Sequence, residues 1–171
     1  MLTIQPTKKL SDQLNNELNK EKTVEKQSLY AWHAHLFFYK RKKYVMVMNN
    51  QTRYSLIIGN LLKKDFMRFD DLIKSSIQDI FMADQFDGSG IQTYMANCEI
   101  VHIVPTNNRS IISQMNDSIL ITKHVWNNEG LEAKDINLQE QNRFNNKTPM
   151  LKLPETFPVE AMGNALEEIG G

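Results

Sequence analysis

Two histidines one residue apart, in Trp32-His33-Ala34-His35, are the first side chains of this sequence that could do chemistry. On a strand, positions i and i+2 project to the same face, so the pair could share a metal ion, with His102 and Cys98 as further candidate ligands. No carboxylate or further histidine follows at a spacing such as H-x-x-x-H. The single cysteine can form neither an internal disulfide nor a zinc knuckle. The residues therefore read first as sheet histidines with hydrogen-bond partners, and no metal is assigned. Imidazole titrates near neutrality, so His33 or His35 could alternatively serve as a general acid–base. Cys98 has no basic neighbour in sequence to lower its thiol, which argues against a nucleophile.

Cations form the second set of candidates. Lys40-Arg41-Lys42-Lys43 lies between Tyr39 and Tyr44, where cations could hold phosphates while the aromatic rings stack on bases. The same tetrapeptide also suits the charged tip of a hairpin, which discourages edge association. Lys8 and Lys9 add to this basic set. Further along, Asn107-Asn108-Arg109-Ser110 opens a helix that reaches Asn116 and Asp117. Free N–H groups at a helix start together with Arg109 make an anion-accepting corner, with Arg53 as its natural second cation. Asn116 and Asp117 could equally cap a neighbouring loop. Asp87-Gly88-Ser89-Gly90 lacks the preceding strand and the following Lys-Ser/Thr of a phosphate loop, so it reads as a helix stop.

These residues need elements to position them. Residues 2–5 could form a short edge strand. Pro6 and Thr7 then open a helix with Leu10, Leu14 and Leu18 on one face, and residues 19–28 read as a polar loop. Trp32 to Tyr39 is apolar on both alternating faces, which predicts a strand covered on both sides. Tyr44–Met48 and Arg53–Ile58 complete a three-stranded meander over 31–59, with the basic tetrapeptide at one turn and Asn49–Thr52 at the other. The spacing predicts a helix over 69–86, a short one over 91–97, a strand over 99–104 and a helix over 109–126 capped by Asn107 or Asn108. Residues 127–157 read as an extended, Pro-punctuated segment folding back over the domain, and 158–169 as a closing helix. In that segment Met150, Leu151, Leu153 and Phe157 are apolar enough to cover the domain or, less simply, to meet a partner.

The chain of 171 residues, 41% apolar and 23% charged, is of a size and balance for one globular domain. No apolar run is long enough for a membrane span, and the first residues do not read as a secretory signal, so a cytoplasmic location is expected. Net charge is zero, yet residues 1–68 carry 13 basic against 5 acidic residues and residues 69–171 carry 7 against 15. That asymmetry yields a basic and an acidic face only if the two halves separate in space. The fold class expected is α+β: a single domain, 1–171, with an antiparallel meander packed against several helices.

The order Thr7-Lys8-Lys9-Leu10, Trp32-His33-Ala34-His35-Leu36, Thr52-Arg53-Tyr54, Asn108-Arg109-Ser110-Ile111, Met115-Asn116-Asp117 and Thr148-Pro149-Met150 to Pro158-Val159-Glu160 resembles an uncharacterised bacterial family, domain of unknown function 6933, over nearly the whole chain. The polar stretch 19–28 departs from that pattern. The resemblance implies a single-domain cytoplasmic protein of the kind carried by accessory genes on chromosomes, plasmids and phages. It brings no activity, cofactor or catalytic residue.

Two functions are therefore expected to compete. The first is a non-enzymatic interaction protein presenting Lys8, Lys9, Arg41, Lys42, Lys43 and Arg53 to an acidic protein, nucleoprotein or nucleic acid. The second is an enzyme acting on a nucleotide or phosphorylated substrate, with Arg53 and Arg109 as anion clamps and His33 or His35 as acid–base. Neither needs a cofactor or a membrane.

Overall fold

The apolar alternation after residue 30 does build a meander: β2 (Ala31–Tyr39), β3 (Lys42–Asn49) and β4 (Ser55–Leu61) pair antiparallel in sequence order. The computed structural model describes residues 1–14, 18–20, 24 and 28–171. Two further strands, β1 (Leu2–Pro6) and β5 (Val101–Ile103), extend the sheet to the order β4-β3-β2-β1-β5. Residues 2–5, expected at an edge, lie inside: β1 runs parallel to both β2 and β5. Gln5 tolerates this because its carboxamide is hydrogen-bonded by protein groups on all sides, as described below. The polar loop expected at 19–28 falls partly on residues 21–23 and 25–27, outside the described residues.

Strand alternation divides the side chains between two cores. Ile4, Trp32, Ala34, Val45, Val47 and Leu56 face one way. On them pack α1 (Lys8–Leu14), α2 (Lys63–Met67), α3 (Phe69–Ala83), α4 (Gly88–Ala96) and α7 (Pro158–Gly170). Phe37, Tyr39, Tyr44, Met46 and Ile57 face the other way, under α5 (Arg109–Asn128) and α6 (Leu138–Asn146). The result is a helix–sheet–helix α+β domain. Trp126 anchors the second core, its ring 5.1 Å from that of Tyr39 and 5.3 Å from that of Tyr44. Trp32 anchors the first, donating from Nε1 to Tyr94 Oη at 2.9 Å.

Three expectations are corrected. The segment 127–157 is not extended throughout, because it holds a short 3-10 turn at Ala133–Asp135 and then α6. Its stretch Leu-Gln-Glu-Gln-Asn-Arg-Phe-Asn-Asn has almost no apolar stripe, so helical periodicity does not reveal it. Asn137 starts it by accepting from Glu140 N–H at 3.1 Å, and its asparagines bond the open edge of β4. The segment folds back only in part: Met150 packs on the second core while Leu151 is fully exposed. Asp87-Gly-Ser-Gly90 both follows one helix and starts the next, since Asp87 accepts from Gly90 N–H at 2.7 Å. Last, the basic tetrapeptide is not all turn. Tyr39 pairs with Lys42, so the turn is Lys40-Arg41, and Lys42 and Lys43 belong to β3. Among the described residues no helix is long and apolar enough to cross a membrane.

Candidate functional site

The sheet places His33, Gln5 and the turn after β3 side by side, because Gln5 pairs with His33 across β1 and β2. All of His33, Gln5, Asn49 and Asn50 are fully buried. Asn50 Nδ2 donates to Gln5 Oε1 at 2.8 Å, which leaves Asn50 Oδ1 as the acceptor facing His33 Nδ1, also at 2.8 Å. His33 Nδ1 therefore carries the ring proton. Its Nε2 accepts from the main-chain N–H of Asn107 at 3.4 Å. Gln5 Nε2 completes the network by donating to Pro105 O at 3.0 Å and Asn107 Oδ1 at 2.9 Å. Burial holds His33 below its ordinary value; the hydrogen bond to Asn50 opposes this and nearby Arg53 adds to it. The ring is thus neutral, with both nitrogens engaged.

His35, on the same face, is half-buried and its Nδ1 lies 2.6 Å from Thr7 Oγ1. Burial, then the charge of Lys9, holds it below the ordinary histidine value. Cys98 sits before β5, buried rather than on a face shared with His102, and burial pushes its thiol up to about 12. Among the described residues no group of three or more His, Cys, Asp or Glu side chains is arranged to hold a metal ion.

The anion corner expected around Arg109 does not converge. Asn108 caps α5, accepting from Ser110 N–H at 3.0 Å and Ile111 N–H at 3.3 Å. Arg109 is exposed at the first turn, and Asn116 and Asp117 are exposed roughly 10–12 Å further along the axis. Arg53 is tied down instead, its Nε donating to Gln114 Oε1 at 2.8 Å and its Nη1 to Asn50 O.

The basic residues gather at the other end of the sheet. Lys40 and Arg41 form a two-residue turn with φ of 45° and 66°, the left-handed geometry that suits hairpin twist. Lys40 pairs with Glu132 at 2.8 Å and Lys8 with Asp12 at 3.0 Å. Arg41 and Lys42 are exposed with no ion pair among the described residues. Lys9 Nζ stands 4.8 Å over the exposed Phe38 ring, and Lys43 Nζ donates to Gln13 Oε1 at 2.9 Å. Lys63 and Lys64, which sequence reading passed over, join this end because Leu61 pairs with Lys43 and α2 begins directly after β4. A Lys-Lys pair following an apolar strand was the available signal. Arg53 is a correction to the patch: the eight residues of β3 separate its turn from the tip by roughly 26 Å.

The family model described as Domain of unknown function (DUF6933) matches residues 3–161 of the chain. No curated protein and no solved structure matches it.

Proposed function

The chain belongs to the DUF6933 family, and on that premise we propose that it is a small non-enzymatic interaction protein whose basic end docks an acidic protein or nucleoprotein partner. One observation carries the reading. Two non-glycine cations, Lys40 and Arg41, occupy left-handed positions where Asn-Gly would relieve strain of about 1 kcal/mol per residue. Backbone strain of this kind is retained where the side chains have work to do. Exposed Leu62 and Met67 belong to the same short helix end as Lys63 and Lys64, so this end of the sheet combines charge with apolar surface, as at an interface.

Arg41, Lys42, Lys43, Lys9, Lys63 and Lys64 form the proposed contact surface. A bacterial, mobile-element origin and a cytoplasmic site of action complete the proposal on the strength of the family resemblance. The test is capture of partners from the native host by the full chain, read by mass spectrometry and nucleic-acid sequencing, beside the charge-reversed Arg41→Glu/Lys42→Glu chain. Partners lost on reversal, with affinity that falls as salt rises, support the basic end. Equal recovery by both chains overturns it.

The enzyme reading keeps one observation, that Arg53 and His33 share Asn50. Since both nitrogens of His33 are engaged, its acid–base step would have to run through His35. Thermal shift with nucleotides and divalent metals tests it, because a ligand at 100 times its Kd stabilises by about 2.7 kcal/mol.

A further inference from the structure

We propose that the groove between α5 and α6 binds an extended, basic and apolar segment of a partner protein. The groove lies on the α5/α6 side of the sheet and meets the hairpin tip at one end, where Lys40 pairs with Glu132; its proposed occupant is basic whereas that of the tip is acidic, so the two readings are tested separately.

Two hollows of about 370 and 310 Å³ meet at Phe144, which lines both. Phe144 is 57% exposed and Ile121 55%, unusual for large apolar side chains on facing helices. The charged residues lining the hollows are Asp117, Glu129, Asp135 and Glu140, and no Lys or Arg lines either. A partly apolar lining whose charged members are all acidic favours a segment that alternates apolar and cationic side chains.

A second feature favours an extended backbone in the occupant. Asn145 lines the groove and is 7% exposed. Its Oδ1 accepts from Gln141 Nε2 at 3.0 Å, but its buried Nδ2 has no partner. A main-chain carbonyl of an occupant would supply the missing acceptor on a small turn of the Asn145 side chain toward the groove. Extended segments have free carbonyls, whereas a helix uses its own. From Asp117 to Glu129 the groove runs roughly 18 Å, the span of five or six extended residues.

The experiment titrates the full chain with an end-blocked hexapeptide alternating Leu and Lys, and with matched Leu/Glu and Ser/Lys peptides, by calorimetry and backbone-amide NMR. The expected result is Leu/Lys binding with shifts on α5 and α6, and at least about tenfold weaker binding of both other peptides. Phe144→Lys and Ile121→Lys, which remove the apolar contact and repel the peptide's cations, each weaken Leu/Lys binding at least about tenfold. Both residues are exposed, and circular dichroism checks that the variants fold. The proposal is overturned by no Leu/Lys binding near 1 mM, by equal binding of Leu/Glu, by shifts on another face, or by unchanged affinity in both variants. Sedimentation showing the groove already filled by a second copy also overturns it.

Discussion

Asn146 holds both outward main-chain groups of Ser55: its Oδ1 accepts from Ser55 N–H at 2.8 Å and its Nδ2 donates to Ser55 O at 2.7 Å. One turn earlier, Asn142 treats Ile57 in the same way, at 2.8 and 3.4 Å. Residues i and i+4 of a helix lie on one face, and residues i and i+2 of a strand present their N–H and C=O groups on one edge. Two carboxamides therefore stand in for a sixth strand. They close the edge of β4, which would otherwise be open to pairing with another chain.

Asn146→Ala should destabilise by roughly 2–3 kcal/mol, because it leaves a buried donor and a buried acceptor of Ser55 unpaired. Asn146→Asp should be worse, since a carboxylate can take the N–H but meets the carbonyl with like charge. Urea unfolding measures the loss, and amide exchange at Ser55 and Ile57 locates it. Stability equal to that of the parent in both variants would show that α6 does not close the edge.

That edge also marks where the sequence stops being legible. The meander, α3, α5 and α7 could all be read, because Trp32, Ile77, Met115 and their neighbours repeat with the period of their element. α6 could not, because its asparagines face the sheet as hydrogen-bonding groups and carry no hydrophobic period. The histidines read correctly as sheet residues on one face. Their partners Asn50 and Asn107 are 17 and 74 positions away, and only the fold brings them together. The basic patch was half legible: its members near the tip follow from the hairpin, but adding Arg53 ignored the length of β3.

Stability should fall as the solution is acidified below about pH 6.5, and the histidines should account for part of it. His33 and His35 are both held below their ordinary value by burial. The unfolded chain therefore binds protons first as pH falls from about 6.5 toward the folded values. The stabilisation is complete above the unfolded value and is lost across that window. His33→Asn keeps a donor toward Asn50 but cannot titrate, so it should be less stable at pH 7.5 yet show a flatter pH dependence. An identical slope in the variant would remove His33 from the account. Asn50 and Arg53 face its ring, and Lys9 is the charge nearest His35 in effect.

Gly90→Ala should separate α4 from α7. A Cβ at Gly90 would lie 2.2 Å from Leu166 O, a main-chain atom that cannot swing away, and the two helices pack along their length. The cost should reach roughly 1–3 kcal/mol or more. Gly88→Ala, two residues earlier with nothing within 4 Å, is the control and should be neutral or slightly stabilising. Thermal melts of the pair decide it. Equal melting temperatures would mean that the glycine is not needed for the helix approach.

Replacing the turn, Lys40→Asn with Arg41→Gly, should separate stability from binding. The tip bends through φ of 45° and 66°, angles that Asn-Gly adopts with less strain. The variant should gain roughly 1–2 kcal/mol, less the small contribution of the solvent-exposed Lys40–Glu132 pair. It should also lose affinity for a polyanion such as a heparin fragment, with a shallower dependence of log K on log salt, because Arg41 no longer takes part. Urea unfolding and salt-series titration on the same preparation give both quantities. A turn that becomes more stable and binds equally well would mean that the cations are held there for solubility alone. A turn that loses stability would mean that the left-handed geometry is not strained.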